Sequence, residues 1–303
     1  MHPMKLLPPS VLASLLIAGA AFAAPAGGIR GVVAPGVEPE LVSEAFMNTE
    51  GPLGMADGGL LFSDTNASIT YRIAPDGKIS AFRYNTNRGN GIALTRDGDL
   101  IWAEEPRIYK RTKNGFVTLT AGARLFQPND LIADDKGGIY FTDPGPRPVV
   151  PGVKVNVYYI PPGGKPIVID DSVPRPNGIT LTRDGKTLIV DNTIGNDVFA
   201  YDVQPDGSVK NRRVFVSLHD IKPGEESFAD GMGMDRDGRL YVTTIRGIQV
   251  FDARGGYLGT ITVPRQPSNV AFSGPDKRTL YISARPAIYS LKMLSQGPER
   301  LGK

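Results

Sequence analysis

The sequence predicts an all-β protein, a six-bladed β-propeller. Three observations predict it: a repeat present in six copies, an Asp-Gly turn at the same place in nearly every copy, and a short apolar run directly after each turn. The copies begin at Glu50, Asn90, Asn129, Asn177, Asp230 and Asn269, spaced 39 to 53 residues apart. Propeller blades of four strands repeat on about that scale, 40–50 residues.

The turn comes seven and eight residues into each copy. Asp57-Gly58, Asp97-Gly98, Asp184-Gly185 and Asp237-Gly238 carry the full pair, the third copy has Lys136-Gly137, and the last has Asp276-Lys277. Asp-Gly between apolar runs signals a hairpin, because the turn needs positive φ and Gly accepts it without a Cβ clash. The runs that follow are Leu60-Leu61-Phe62, Leu100-Ile101-Trp102, Ile139-Tyr140-Phe141, Leu188-Ile189-Val190, Leu240-Tyr241-Val242 and Leu280-Tyr281-Ile282. Third strands are expected at 69–73, 157–160, 197–202, 247–251 and 287–291, and fourth strands at 214–218 and 258–263. The sixth copy is too short for a fourth strand of its own, so the segment 41–46 is expected to supply it and close the ring. An elongated β-solenoid fits less well, since its coils repeat at shorter spacing without regular antiparallel hairpins.

Composition agrees with this fold and narrows the function. The chain has 36 Gly, 26 Pro and no Cys in 303 residues, so stability rests on a large core rather than on disulfides. Lys5 followed by the apolar stretch 11–22 and the Ala21-Phe22-Ala23 cleavage pattern reads as a secretory signal peptide over residues 1–23. The stretch is shorter than the roughly 20 residues a membrane span requires. Residues 24–303 then form one propeller domain, periplasmic or secreted. The net charge of +3, with Lys and Arg scattered, gives no footprint for nucleic acid. No signal for oligomeric state is present.

The repeat also predicts a site. The first strand of a propeller blade lines the central tunnel, so the six repeat heads form a ring of two carboxylates and four carboxamides at one mouth. Neighbouring acids repel unless a positive charge lies between them. All the donors are hard oxygens, which suits Ca²⁺, with Mg²⁺, Mn²⁺ or Zn²⁺ as substitutes; Zn²⁺ is disfavoured with no Cys and only His219 beyond the leader. Taken singly, Asn-Gly and Asp-Gly pairs also serve as simple turns; six in one phase point to a site. A second set, Asp64, Glu104, Asp143 and Asn192, ends the second strand of each of the first four copies and is expected to orient the ring or to hold another cation, with a plain charged surface rim as the alternative for any one of them.

At these residues the chain resembles the gluconolactonase/regucalcin (senescence marker protein) family of calcium-dependent propellers. The matching phrases are Glu50-Gly51-Pro52, Gln127-Pro128-Asn129-Asp130, Phe141-Thr142-Asp143-Pro144, Pro176-Asn177-Gly178, Ala229-Asp230-Gly231 and Ser268-Asn269-Val270-Ala271-Phe272. The resemblance runs from about residue 40 to the end. It implies that Glu50, Asn177 and Asp230 bind the catalytic metal, with Asn129 a further ligand or a substrate contact. Asn90 and Asn269 are expected as substrate contacts beside Asn129. It also implies a small-molecule lactone as substrate, with Asp230 as catalytic base or nucleophile. Regucalcin-type sugar lactonases carry Arg two residues before the Asn that matches Asn129; this chain has Gln127, which weakens the expectation of a polar sugar lactone.

Other chemistries lack their residues. There is no G-x-S-x-G elbow, Gly163-Gly164-Lys165 is followed by Pro166 rather than Ser or Thr, and one His cannot form a paired-histidine relay. Two alternatives use the same ring: hydrolysis of a phosphotriester or other ester, and a non-catalytic periplasmic ligand-binding or scaffold propeller with structural calcium.

Overall fold

The computed structural model describes residues 28–148 and 150–299; the expected signal peptide lies outside them. Short apolar runs broken by tight turns produce strands and, among the described residues, no helix. β1 (Glu40–Ser43) precedes five consecutive four-stranded sheets. They are β2–β5 (Thr49–Gly54, Leu60–Asp64, Ile69–Ile73, Ile79–Tyr84), β6–β9 (Ile92–Leu94, Leu100–Glu104, Arg107–Thr112, Gly115–Thr118), β10–β13 (Leu131–Ala133, Ile139–Asp143, Asn156–Ile160, Ile167–Asp170), β14–β17 (Pro176–Leu181, Thr187–Asn192, Asp197–Val203, Val209–Ser217) and β18–β21 (Met232–Met234, Leu240–Thr244, Gly247–Phe251, Tyr257–Ile261). The sixth sheet takes β22 (Asn269–Ser273), β23 (Thr279–Ala284) and β24 (Ala287–Lys292), and its outermost strand is β1, paired antiparallel to β24 with Glu40 opposite Ser290. The first strands β2, β6, β10, β14, β18 and β22 each touch the next, and β22 touches β2, so the six sheets form a closed six-bladed propeller around those strands.

Burial explains the strand sequences. The first strands are almost wholly buried, because they face the axis on one side and their own sheet on the other. The outer strands are mostly exposed or half-buried. Between blades the sheets pack face to face: Ile132, Tyr140 and Tyr159 of the third sheet meet Ile179, Leu188 and Tyr201 of the fourth. Trp102 is fully buried in such a seam, and its indole N–H donates to Thr70 Oγ1 of the preceding blade at 3.1 Å.

Two expected fourth strands are shifted. The strand expected at 214–218 begins five residues earlier, at Val209, and the one expected at 258–263 runs from Tyr257 to Ile261. β5, β8, β9 and β13 had no counterpart in the expected set.

The repeated turn is left-handed in all six copies. Gly58, Gly98, Gly137, Gly185 and Gly238 have φ between +67° and +89°, and Lys277 adopts +53°. For a residue with a Cβ this conformation costs about 1 kcal/mol. Lys277 Nζ offsets part of that by donating to the Pro298 carbonyl at 2.7 Å. Lys277→Gly is expected to raise stability by up to about 1 kcal/mol, read as a higher denaturant midpoint; a lower midpoint would mean that the side-chain contact outweighs the strain.

Candidate metal centre at the tunnel mouth

The polar ring is built by backbone contacts between neighbouring blades. Four of its six heads are followed by Gly, and the next head occupies the space a side chain would need. A Cβ on Gly51 would lie 2.1 Å from the Asn90 carbonyl oxygen, one on Gly178 2.1 Å from the Asp230 carbonyl oxygen, and one on Gly231 1.9 Å from Asn269 Cγ. Hydrogen bonds also cross from blade to blade. Ser63 Oγ donates to the Asn90 carbonyl at 2.7 Å, Thr142 Oγ1 to the Asn177 carbonyl at 2.6 Å, and Ser268 Oγ to the Thr49 carbonyl at 3.0 Å. Each head is therefore positioned by the blade beside it.

Glu50 in β2, Asn177 in β14 and Asp230 just before β18 are buried at 1%, 7% and 8% exposure. Glu50 and Asp230 come together at one cation, the guanidinium of Arg285. Its Nη2 bonds to Glu50 Oε1 and, at 2.6 Å, to Asp230 Oδ2. Burial, and then the Glu50 carboxylate, push Asp230 up to about 7, against Arg285 and a hydrogen bond from Asn177. Asn177 Nδ2 also donates to Thr193 Oγ1 at 3.1 Å, while its Oδ1 is buried with no donor. Asn90 Oδ1 and Asn129 Oδ1 are likewise buried and without a donor. Asn269 differs: its Oδ1 accepts the Val270 N–H at 2.9 Å, a local turn bond.

Three carboxamide oxygens in this state are unusual, since buried polar atoms nearly always find a partner and otherwise cost about 1–3 kcal/mol each. Among the described residues no three His, Cys, Asp or Glu side chains gather around a common point. The donor set that a cation could use is two carboxylates with carboxamide oxygens. That composition suits a hard cation such as Ca²⁺ and not a metal that needs nitrogen or sulfur.

Three residues of the second set hold the backbone that leads into the ring. Asp64 accepts the N–H groups of Met47 and Asn48 at 2.8 and 3.0 Å, just before Glu50. Asp143 accepts those of Phe126 and Gln127 at 2.8 and 2.9 Å, just before Asn129. Asn192 Oδ1 accepts the Arg175 N–H at 3.1 Å, two residues before Asn177. Glu104 instead pairs with Arg83, whose guanidinium lies over the rings of Trp102 and Phe116. Burial raises the pKa of Asp143 and of Glu104, opposed in one by backbone N–H groups and in the other by Arg83.

Sequence reasoning missed Arg285 and Asp191. Ala284, at the end of β23, stands where the first four blades carry Asp64, Glu104, Asp143 and Asn192, and Arg285 is the residue after it. A cation one residue beyond that position, in the turn of the last hairpin, was the available signal. Asp191 precedes Asn192 in β15 and is completely buried; its Oδ1 accepts the Gly178 N–H at 2.9 Å and its Oδ2 has no hydrogen-bond partner. Burial, with Asp230 nearby, raises its pKa well above the ordinary range.

Loops tie neighbouring blades together near Asp230. Arg147, after Gly145 in the loop from the third blade, pairs with Glu226 at 2.7 Å and lies 5.2 Å from the ring of Phe228. Arg175 Nη1 donates to the Pro146 carbonyl at 3.3 Å. This loop is thereby tied to the segment that carries Asp230. Phe228 itself has φ +50°, a strained value for a bulky residue. Gln127 Nε2 donates to Glu105 Oε1 at 2.8 Å, and Arg88 Nε reaches the same oxygen at 3.0 Å.

Fold and side chains together define a six-bladed propeller in which two buried carboxylates from different blades, Glu50 and Asp230, share one guanidinium. The chain belongs to the SMP-30/Gluconolactonase/LRE-like family, matched over residues 48–285. It is 28% identical over 279 residues to a gluconolactonase of Zymomonas mobilis, covering 81% of this chain and 78% of that one. It is 27% identical over 244 residues to a pentonolactonase of Haloferax volcanii, covering 77% and 80%. The solved structure of a gluconolactonase from Xanthomonas campestris superposes with a TM-score of 0.74 at 30% identity, covering 84% of this chain and 88% of that one.

Proposed function

We propose that this protein hydrolyses a lactone and that its activity depends on a divalent cation, Ca²⁺ by preference, held by Glu50, Asn177 and Asp230 with Asn129. The observation that carries this reading is that two buried carboxylates, Glu50 and Asp230, share one cation, while Asn177 hydrogen-bonds to Asp230 and keeps a buried Oδ1 with no donor. A hard cation satisfies these oxygens and removes the repulsion between the acids. The lactone-hydrolysing names of the relatives at 27–30% identity agree with it.

When bound, the cation supplies polarisation of the lactone carbonyl and stabilisation of the negative charge that develops on its oxygen. The rest falls to the chain. Asp230 accepts the proton of the attacking water. Water adds to the carbonyl carbon, the ring C–O bond breaks, and the leaving oxygen takes a proton, giving a hydroxy acid. Asn90 and Asn129, half-buried at the mouth, have amide groups suited to hold the substrate's oxygens. Gln127 offers no charge to the substrate and is anchored to Glu105, which favours a less polar lactone than a sugar lactone.

A panel of aliphatic and sugar lactones, assayed with and without chelator, tests this. Hydrolysis is expected to vanish on chelation and to return with added Ca²⁺. Full activity in chelated, metal-free protein would reject the cation. Stabilisation by Ca²⁺ with no turnover on any lactone would make the ring a structural site.

A further inference from the structure

We propose that Arg285 is a resident counter-cation that competes with the divalent cation for Glu50 and Asp230, and so sets how tightly this protein binds it. The inference rests on the reading of the ring as a cation site. Its basis is one nitrogen shared by two carboxylates: Arg285 Nη2 bonds to both Glu50 Oε1 and Asp230 Oδ2. These residues stand 235 and 55 positions away in the chain, so the contact is made by the closed ring and not by local geometry.

The placement of Arg285 suits a competitor. Its backbone lies in the two-residue turn between β23 and β24, and the flanking Ala284 and Ala287 pair with each other and are completely buried. The base of the side chain is thus anchored. The side chain itself is 43% exposed, whereas those of Glu50 and Asp230 are 1% and 12% exposed. Part of the Arg285 side chain thus reaches solvent, while the two acids scarcely do.

Charge-assisted hydrogen bonds between guanidinium and carboxylate are among the strong ones. A cation that takes over the same oxygens must replace them, and whatever stabilises the cation-free form lowers the apparent affinity. Once displaced, the guanidinium remains a nearby positive charge and acts in the same direction. Without Arg285 the two acids face each other uncompensated, which destabilises the cation-free protein and strengthens cation binding.

The test is calorimetric titration of CaCl₂ into chelator-stripped full-length protein, with thermal melts of the same samples. Arg285→Met is expected to bind Ca²⁺ at least tenfold more tightly than wild type, to melt lower without Ca²⁺, and to regain the difference when saturated. Arg285→Gln, which keeps a donor but no charge, is expected to shift both readings the same way by less. It carries the test if Arg285→Met does not fold without Ca²⁺. A merely structural Arg285 would lower the melting temperature without tightening Ca²⁺ binding. Equal or weaker binding in the variants, with wild type binding normally, overturns this inference alone. Absence of Ca²⁺ binding in every protein overturns the cation site and this inference with it.

Discussion

Asp230→Asn is expected to reduce lactone turnover roughly a thousandfold, the scale of losing a positioned base or a charged site group, while leaving the propeller folded. Asn has the shape of Asp and keeps one carbonyl oxygen, but it has no charge and no useful basicity. The fold should persist because the backbone N–H of Asp230 bonds to the Thr243 carbonyl at 3.2 Å, independently of the side chain. Removing one of two crowded acids also relieves repulsion with Glu50. Turnover under saturating Ca²⁺, beside a thermal melt and circular dichroism, separates the two effects. Wild-type turnover in a folded variant would remove Asp230 from the chemistry.

The second large effect is a pH dependence of the metal-free protein. Asp230 rises from an ordinary 3.8 to about 7 in the folded state. Between those values the native protein keeps a proton that the unfolded chain has released. Stability therefore falls as pH rises through that window, by at most about 1.4 kcal/mol per pH unit. Asp191, also raised, acts in the same direction. Carboxylates held below their ordinary values, such as Asp57 and Asp184, exert their opposite effect below about pH 4 and do not enter the window. A divalent cation competes with the proton for Asp230. Ca²⁺ is thus expected to raise the melting temperature more at pH 8 than at pH 5. Chelated protein that is more stable at pH 8 than at pH 5 would contradict the assignment of Asp230 as the group kept protonated.

How much of this was readable in advance depended on whether a feature recurs. The inner hairpins recur, and Asp57-Gly58 and its counterparts mark them by a turn that demands a left-handed residue. Even Lys277, which breaks the pattern in sequence, keeps the conformation. The outer strands are weaker signals. β9 reads Gly-Phe-Val-Thr and is exposed, and β8 reads Arg-Ile-Tyr-Lys-Arg-Thr, so neither shows the apolar run of a buried strand. The ring heads were visible as six polar residues in one phase, yet their individual engagement was not: Asn177 Oδ1 has no donor while Asn269 Oδ1 serves its own backbone. Type and spacing do not distinguish those two states. Arg285 occurs in a single blade, so a search for sameness passes over it. Asp64 and Asp143 were recognisable as a set, but what they hold, the N–H groups of residues 47, 48, 126 and 127, depends on loop paths that spacing does not encode.

The last blade borrows its outer strand from the opposite end of the molecule, and that has a bearing on when the pocket can exist. Thr49 Oγ1 reaches the Ala287 carbonyl across 238 positions, and Glu50 meets Arg285 across 235. Contacts so distant in sequence form slowly. During synthesis Glu50 and Asp230 have no guanidinium opposite them until the last hairpin has emerged and met the first blade. The pairing of Glu50 and Asp230 with Arg285 is therefore made only after the last hairpin has joined the first blade, and a chain cut short before that hairpin would lack it.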